Sequence, residues 1–428
     1  MLTTRMSLPT VLPMSRTFRP LAVLVAAAAV VLSGCGFGLE PVVHLVTNRA
    51  EMAAYVDRYN AIQSDVKVEI AYQDAPAQAV LEGVSGDAVI GQWLATPAVM
   101  DRLDTLGDIV KPGKVDPAWF YAGLLAMGSR DNRPFLIPIS FTLPAIVYVR
   151  TSADLPNKMF MPLDDLQSMS KVFNKTNKAG LPIAMGFSPL ADWNVDFLTA
   201  SALLFGARFR PGRNELPAYD DSGLGKTTDF LRTWLNQVNG GAAADGSFST
   251  LNRVQPWYKL LSSGKSLFAL TSFRDFFALP VEERHDFDFR WLSKDNMVPV
   301  MDDVLFAGVL RSSRNKGEAR AFLQWFCIPT VQQTLLNVNQ LKRIGVFGVT
   351  DGFSALKTIN ERDLAQKYPV LLGHIPLDSI LTFPGLLPDN WVKVRDGVVV
   401  PWIAQTASGK ETQPLDKTLD EWQKAEKK

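Results

Sequence analysis

Between residues 42 and 91 the chain alternates short apolar runs with amphipathic ones, and no other feature of the sequence restricts its fold as much. Residues 42–47 read as a strand. Residues 51–60 place Met52, Tyr55, Val56 and Tyr59 at i, i+3, i+4 and i+7, the spacing of one buried helix face. Val66, Val68 and Ile70 alternate with Lys67, Glu69 and Ala71 in a second strand, a helix is expected over 76–83, and 87–91 gives a third strand. Strands separated by helices pair in parallel, and parallel sheets bury both faces. The expected class is α/β, and ligands of such sheets gather at the carboxyl ends of the strands.

Residues 137–150 break the rhythm: two extended segments are joined with no helix between them, a connection able to carry the chain from one lobe to another. Helices are then expected over 162–176, 193–205 and 223–238, the last capped by Asp220, Asp221 or Ser222. The Gly- and Ala-rich stretch 239–249 reads as a surface loop, and 265–271, 286–292 and 303–310 look extended. Asn315 with Glu318 resembles a capping box, and Leu415, Leu419 and Trp422 mark a terminal amphipathic helix.

The N-terminus carries a different signal. Arg5, Arg16 and Arg19 precede the apolar run 21–32, which ends at Ser33-Gly34-Cys35. At about 12 residues the run is too short for a bilayer, which needs about 20, and the pattern is that of a secretory signal. Met14 offers an alternative start with a compact basic segment after it. Leu32-Ser33-Gly34-Cys35 looks like the lipobox of bacterial lipoproteins, whose Cys is acylated, so residues 1–34 are expected to be removed and Cys35 lipidated. Acyl chains at about 0.8 kcal/mol per buried methylene anchor a body without a transmembrane helix.

With 44 Lys plus Arg against 43 Asp plus Glu, the 428-residue chain has no basic surface for nucleic acid, and 2 Cys exclude a disulfide scaffold. His44, His285 and His374 stand apart from each other and from both cysteines, which leaves no zinc spacing and no metal expectation. Cys327 falls on an apolar helical face and is expected buried and inert. Gly223-Leu224-Gly225-Lys226-Thr227 imitates the end of a phosphate-binding loop, but Asp220 stands where its first Gly should be. The acid pairs Asp164/Asp165 and Asp302/Asp303 diverge as chain neighbours and are read as helix caps or solvent-facing groups rather than as a catalytic pair. No cofactor motif is present, and no enzyme is expected.

The order of an exported lipoprotein signal, an α/β lobe, an extended crossover, a helical lobe, a return strand with its helix and C-terminal helices resembles the family 1 extracellular solute-binding proteins, the maltose-binding-like receptors of ABC importers. The stretch 304–326, with Phe306-Ala307-Gly308-Val309-Leu310 and Ser312-Ser313-Arg314-Asn315-Lys316, is similar to that family's return strand and following helix, and 260–270 to the strand before a ligand aromatic. The family often has Gly-Trp at that aromatic, where this chain has Ser272-Phe273.

The resemblance implies a two-lobed periplasmic-binding-protein fold, with lobe 1 at 39–143 and 284–344, lobe 2 at 144–283 and 345–428, and a ligand cleft between them. It implies a monomeric receptor in the cell envelope, lipid-anchored outside the cytoplasm, that captures a solute, foremost a carbohydrate, for an ABC permease. Strand ends and aromatics nominate Asn48, Gln92, Trp93, Phe141, Thr142, Asp192, Trp193, Phe273, Arg274 and Trp391 as ligand-binding: flat rings suit sugar faces, and the polar groups suit hydroxyls. A non-sugar polar solute such as a peptide or polyamine, a secreted hydrolase and an adhesin-like envelope lipoprotein stay open as alternatives.

Overall fold

The computed structural model describes residues 40–426 except Asp154, 156–158, Val195, Asn214 and Glu215; the signal and Cys35 lie outside the described residues. From its first strand the chain runs β1 (Val42–Thr47), α1 (Met52–Ile62), β2 (Lys67–Tyr72), α2 (Pro76–Leu81) and β3 (Ala88–Gly91), then β4 (Ile137–Phe141) and β5 (Pro144–Val149). It continues through β6 (Phe160–Pro162), α3 (Leu163–Phe173), α4 (Asp196–Leu204), α5 (Asp221–Gln237), α6 (Ala242–Asn252), β7 (Ala269–Ser272), α7 (Phe273–Ala278) and β8 (Phe287–Ser293). It ends with β9 (Leu305–Val309), α8 (Lys316–Phe326), β10 (Phe353–Ser354), α9 (Trp391–Val394), α10 (Val400–Ala407) and α11 (Leu415–Glu426).

Two sheets divide these strands. The first has the order β10-β4-β9-β3-β1-β2; β1 is parallel to β2 and β3, whereas β9 runs antiparallel between β3 and β4. The second has the order β7-β5-β8-β6, with β5 antiparallel to both neighbours. Two hydrophobic cores follow: one joins the first sheet with Tyr55, Phe322, Phe326 and the hinge aromatics, the other gathers Phe187, Phe197, Trp234, Ile403 and Leu419 around the outer face of the second sheet. Gly91 has a packing reason, since a Cβ there would sit 2.8 Å from Pro76 and push α2 off the end of β3.

The sheets exchange the chain between Phe141 and Pro144. The return falls after Ser293, not near residue 284, because β8 pairs along β5 and completes the second sheet before β9 enters the first. The last crossing falls beyond Leu381, not near 345, because β10 pairs with β4, while α10 packs on α5 in the other lobe. Short parallel pairing of Val298–Pro299 with Leu381–Thr382 lies at these two crossings.

Local corrections have local causes. Residues 242–252 form α6 rather than a loop: Gly240 and Gly241, at φ +76° and +102°, make the turn, and buried Asp245 ties the helix down through Asn239 and Ser188. Asn315 does not cap α8 with its side chain; its amide donates to the Val42 carbonyl at 2.8 Å and fixes the start of β1. Asp220 does cap α5, accepting from the Gly223 amide at 2.9 Å. Gly223 belongs to that helix because a Cβ would lie 2.3 Å from the Ala207 amide nitrogen. Cys327 is buried, and burial pushes its thiol up to about 12.

Candidate functional site

The two sheets meet edge to edge, and the strand directions decide what stands there. In the first sheet β1, β3 and β4 all end at this edge, presenting Asn48, Gln92 with Trp93, and Thr142. Because β9 runs the opposite way, its beginning lies at the same edge and delivers Asp302 and Asp303. From the second lobe come Pro144 at the start of β5, Leu270, Thr271 and Ser272 at the end of β7, and Asp196 at the start of α4. Trp93, Thr142, Asp302, Asp303 and these second-lobe groups, with Met301 and Arg395, line an inner cavity of about 510 Å³, its open mouth included. An outer one of about 1240 Å³, open to solvent, runs from Asn48 and Pro76 past Gln92 and Trp93 to Trp391 and Lys393. Trp93 borders both.

The neighbouring carboxylates at the crossing diverge, and each fastens a different wall. Asp303 Oδ1 accepts from Thr142 Oγ1 at 2.7 Å and its Oδ2 from Gln92 Nε2 at 3.0 Å. Arg274 stands 3.7 Å from Asp303 and makes its shorter ion pair, 2.6 Å, with Asp351. Asp302 takes both oxygens to the Arg395 guanidinium, at 2.9 and 3.2 Å, and accepts from the Trp391 indole at 2.5 Å. Burial raises the Asp302 pKa against the opposing pull of Arg395. Neither acid caps a helix or simply faces solvent, which corrects the reading of this pair from sequence; Asp164 and Asp165 do stand in the first turn of α3.

Trp93 is held in an uncommon backbone state, φ +63°, which turns its ring across the cleft instead of continuing β3. The Arg395 guanidinium lies 5.0 Å from the ring centroid, within cation–π reach. Asp196 differs from its neighbours in having no hydrogen bond or ion pair on its carboxylate among the described residues; only its backbone carbonyl accepts, from Thr199. Its side chain reaches open cleft, yet the protein crowding it on both sides, with Asp302, Asp303 and Asp275 nearby, outweighs Arg395 and raises its pKa to about 6.

Of the residues nominated from sequence, Asn48, Gln92, Trp93, Thr142 and Trp391 line the two cavities, and Arg274 reaches the same network through Asp303. Trp391 is largely spoken for: it is 5% exposed, packs with its ring 5.0 Å from that of Phe209 and has its indole N–H on Asp302. Phe141 and Phe273 are not available to a ligand, each being 1% exposed. Phe141 packs between Tyr121 and Phe353, and Phe273 sits at the centre of the hinge aromatics. Asp192 pairs with Arg253 on the surface and Trp193 rests against Phe248, away from both cavities.

Asp196, Asp302, Asp303 and Arg395 were missed. Asp302 and Asp303 needed the direction of β9 to be known, while Arg395 carried a usable signal, four residues after Trp391 on one helical face. Among the described residues no group of three His, Cys, Asp or Glu side chains is placed to hold a metal.

No protein-family model matches the chain, and no curated protein matches it. Solved structures do. The cyclic α-maltosyl-1,6-maltose binding protein of Arthrobacter globiformis aligns at TM-score 0.62 and 16% identity over 89% of this chain and 96% of its own. The sugar-binding protein MalE of Xanthomonas citri aligns at 0.61 and 12% over 89% and 95%. The maltose complex of MalE from Listeria monocytogenes gives 0.59 and 16% over 89% and 96%. At such identities the likeness is one of architecture, and by that architecture the chain is a two-lobed α/β protein with the fold of the maltose-binding ABC solute receptors.

Proposed function

We propose that this chain captures a carbohydrate in the cleft between its lobes and presents it to an ABC permease, without chemical change to the ligand. The observation that carries the reading is the meeting at one sheet edge of the Trp93 ring with the Asp303, Gln92 and Thr142 hydrogen-bonding set. A ring face against carboxylate and amide groups is the pairing that a polyhydroxylated ring requires, apolar across its C–H face and hydrogen-bonding around its rim. The structural neighbours named for cyclic maltosyl-maltose and maltose support it, as does a D-mannitol complex of a solute-binding protein from Agrobacterium vitis. Anchoring through acyl chains on Cys35 and residence outside the cytoplasm belong to the same proposal; no helix among the described residues is long and apolar enough to cross a membrane.

Thermal unfolding of the full chain against neutral sugars, hexosamines, peptides and polyamines tests it. A ligand at 100 times its dissociation constant adds about 2.7 kcal/mol, a clear rise in midpoint. A saccharide that raises the midpoint in the native protein but not in Trp93→Ala is the expected result. Saccharides without effect, or consumed during the assay, would overturn the reading. Detergent-phase partition that is lost on Cys35→Ala is expected for the anchor.

A further inference from the structure

We infer that the ligand of this cleft is amphipathic, a saccharide that carries an apolar aglycone, with the sugar in the inner cavity and the aglycone in the outer one; this rests on the carbohydrate reading above. The argument is the difference between the two cavities that share Trp93. The inner one is lined by groups that answer hydroxyls, among them Thr142, Thr271, Ser272, Asp303 and Arg395. The outer one continues from the same ring into a space lined by Ala75, Pro76, Ala77, Leu81, Val99 and Val392. Ala77 and Leu81 belong to α2 of the first lobe and Val392 to α9 of the second, so hydrocarbon stands on both walls.

The polar side chains that line the outer cavity are bonded within the protein. Asn48 donates to the Asp74 carbonyl at 3.1 Å, Gln78 to Glu82 at 2.8 Å and Gln92 to Asp303 at 3.0 Å. Thr96 accepts from the Val99 amide at 3.4 Å, and the Trp391 indole is on Asp302. Asp74, Asn390 and Lys393 are exposed and keep their water. Further sugar rings laid along this space would give up water at many hydroxyls and find few side-chain partners in exchange. An alkyl or aryl group has no such cost, and it takes the half-buried surfaces of Ala77, Leu81 and Val392 out of water. Trp93 suits the junction, because a broad ring can meet the C–H face of a sugar and the hydrocarbon that follows it. Pockets of roughly 300–1,000 Å³ hold whole drug-sized ligands, so the outer space has room for a substituent of several carbon atoms beside the sugar.

The full chain is titrated calorimetrically at pH 7.5 with glucose, mannose and maltose, with the phenyl and hexyl glycosides of each below the concentration at which they form micelles, and with maltotriose. The titrations are repeated on Ala77→Asp and Val392→Asp, which place a carboxylate on either wall. A sugar that binds is expected to bind at least tenfold more tightly as its phenyl or hexyl glycoside, and each variant whose melting curve shows a folded protein is expected to lose most of that gain. Glycosides no tighter than their free sugars, maltotriose gaining as much over maltose as hexyl maltoside does, or a gain that survives both variants overturns the aglycone assignment and leaves the carbohydrate reading standing. No response to any sugar or glycoside overturns both.

Discussion

The aromatics beneath the cleft and the one that crosses it behave in opposite ways. Under the hinge, the Phe273 ring lies between 4.6 and 5.6 Å from six others, those of Phe276, Phe277, Phe289, Trp291, Phe347 and Phe353, so both lobes share one packed joint. Above it, Trp93 is half-buried, strained at its backbone and met by a guanidinium rather than a ring. The difference teaches that an aromatic stays accessible through a ring left clear of other packed rings and a backbone turned to expose it, not through its position at the end of a strand. Phe273 and Trp93 both follow strand ends, and only one is accessible.

The comparison breaks first at the joint. Phe273→Ala should destabilise the protein by about 3–5 kcal/mol, the usual cost of deleting a ring from a packed core, read as a lower denaturant midpoint. A loss below 1 kcal/mol would mean that the hub is not tightly packed. Next comes the seam between joint and cleft: Asp302→Ala leaves Arg395 with only the exposed Asp396 and removes the acceptor of Trp391, for an expected loss of about 2–3 kcal/mol. Asp302→Asn should retain more of that stability than Ala does, because an amide oxygen still accepts.

The complementary pattern is expected at the cleft wall. Trp93→Ala should leave the melting midpoint nearly unchanged, because alanine's Cβ meets the same strain at φ +63°, while saccharide affinity falls by about 1–2 kcal/mol, roughly fivefold to thirtyfold. A large change in stability with intact affinity would reverse the roles assigned to the two regions.

The smallest effect is a pH slope. Burial raises Asp245 to about 6 and, against Arg395 and with help from Asp302, Asp303 and Asp275, does the same for Asp196. An acid whose folded pKa lies above its unfolded value of 3.8 holds its proton better when folded. Its contribution is full below pH 3.8 and is lost as pH rises through 6. These two groups should therefore make stability decline between pH 4 and 6.5. The decline should shrink in the double variant Asp196→Asn, Asp245→Asn, whereas Phe273→Leu should lower the whole curve without changing its slope. An unaltered slope in the double variant would place the titration elsewhere.

How far the sequence revealed these regions depended on how local the cause was. The run from β1 to β3 was legible nearly to the residue because each element carries its own periodicity: Met52, Tyr55, Val56 and Tyr59 are all buried as their spacing requires. The exchange at Phe141 to Pro144 was legible because two apolar strands cannot follow each other without a helix and still pair in parallel. The later exchanges were not, since β8 looks like an ordinary strand, the two-residue β10 carries no pattern of its own, and their sheet is chosen by pairing partners more than 100 residues away. The same holds for the site. Gln92, Trp93 and Thr142 followed from the strand-end rule, but Asp302 and Asp303 precede their strand, and only its reversed direction brings them to the same edge.

That reversed strand has a further consequence, for the order in which the molecule can form. β9 lies between β3 and β4, yet more than 160 residues separate it from β4 along the chain, most of them spent on the other lobe. A chain emerging from the ribosome therefore carries a first sheet with its middle strand missing until Val309 has been made, and even β4 has no direct bond to β3 before then. Pairing over such sequence separations is slow to form. Throughout most of its synthesis this protein is an open half-sheet waiting for its centre.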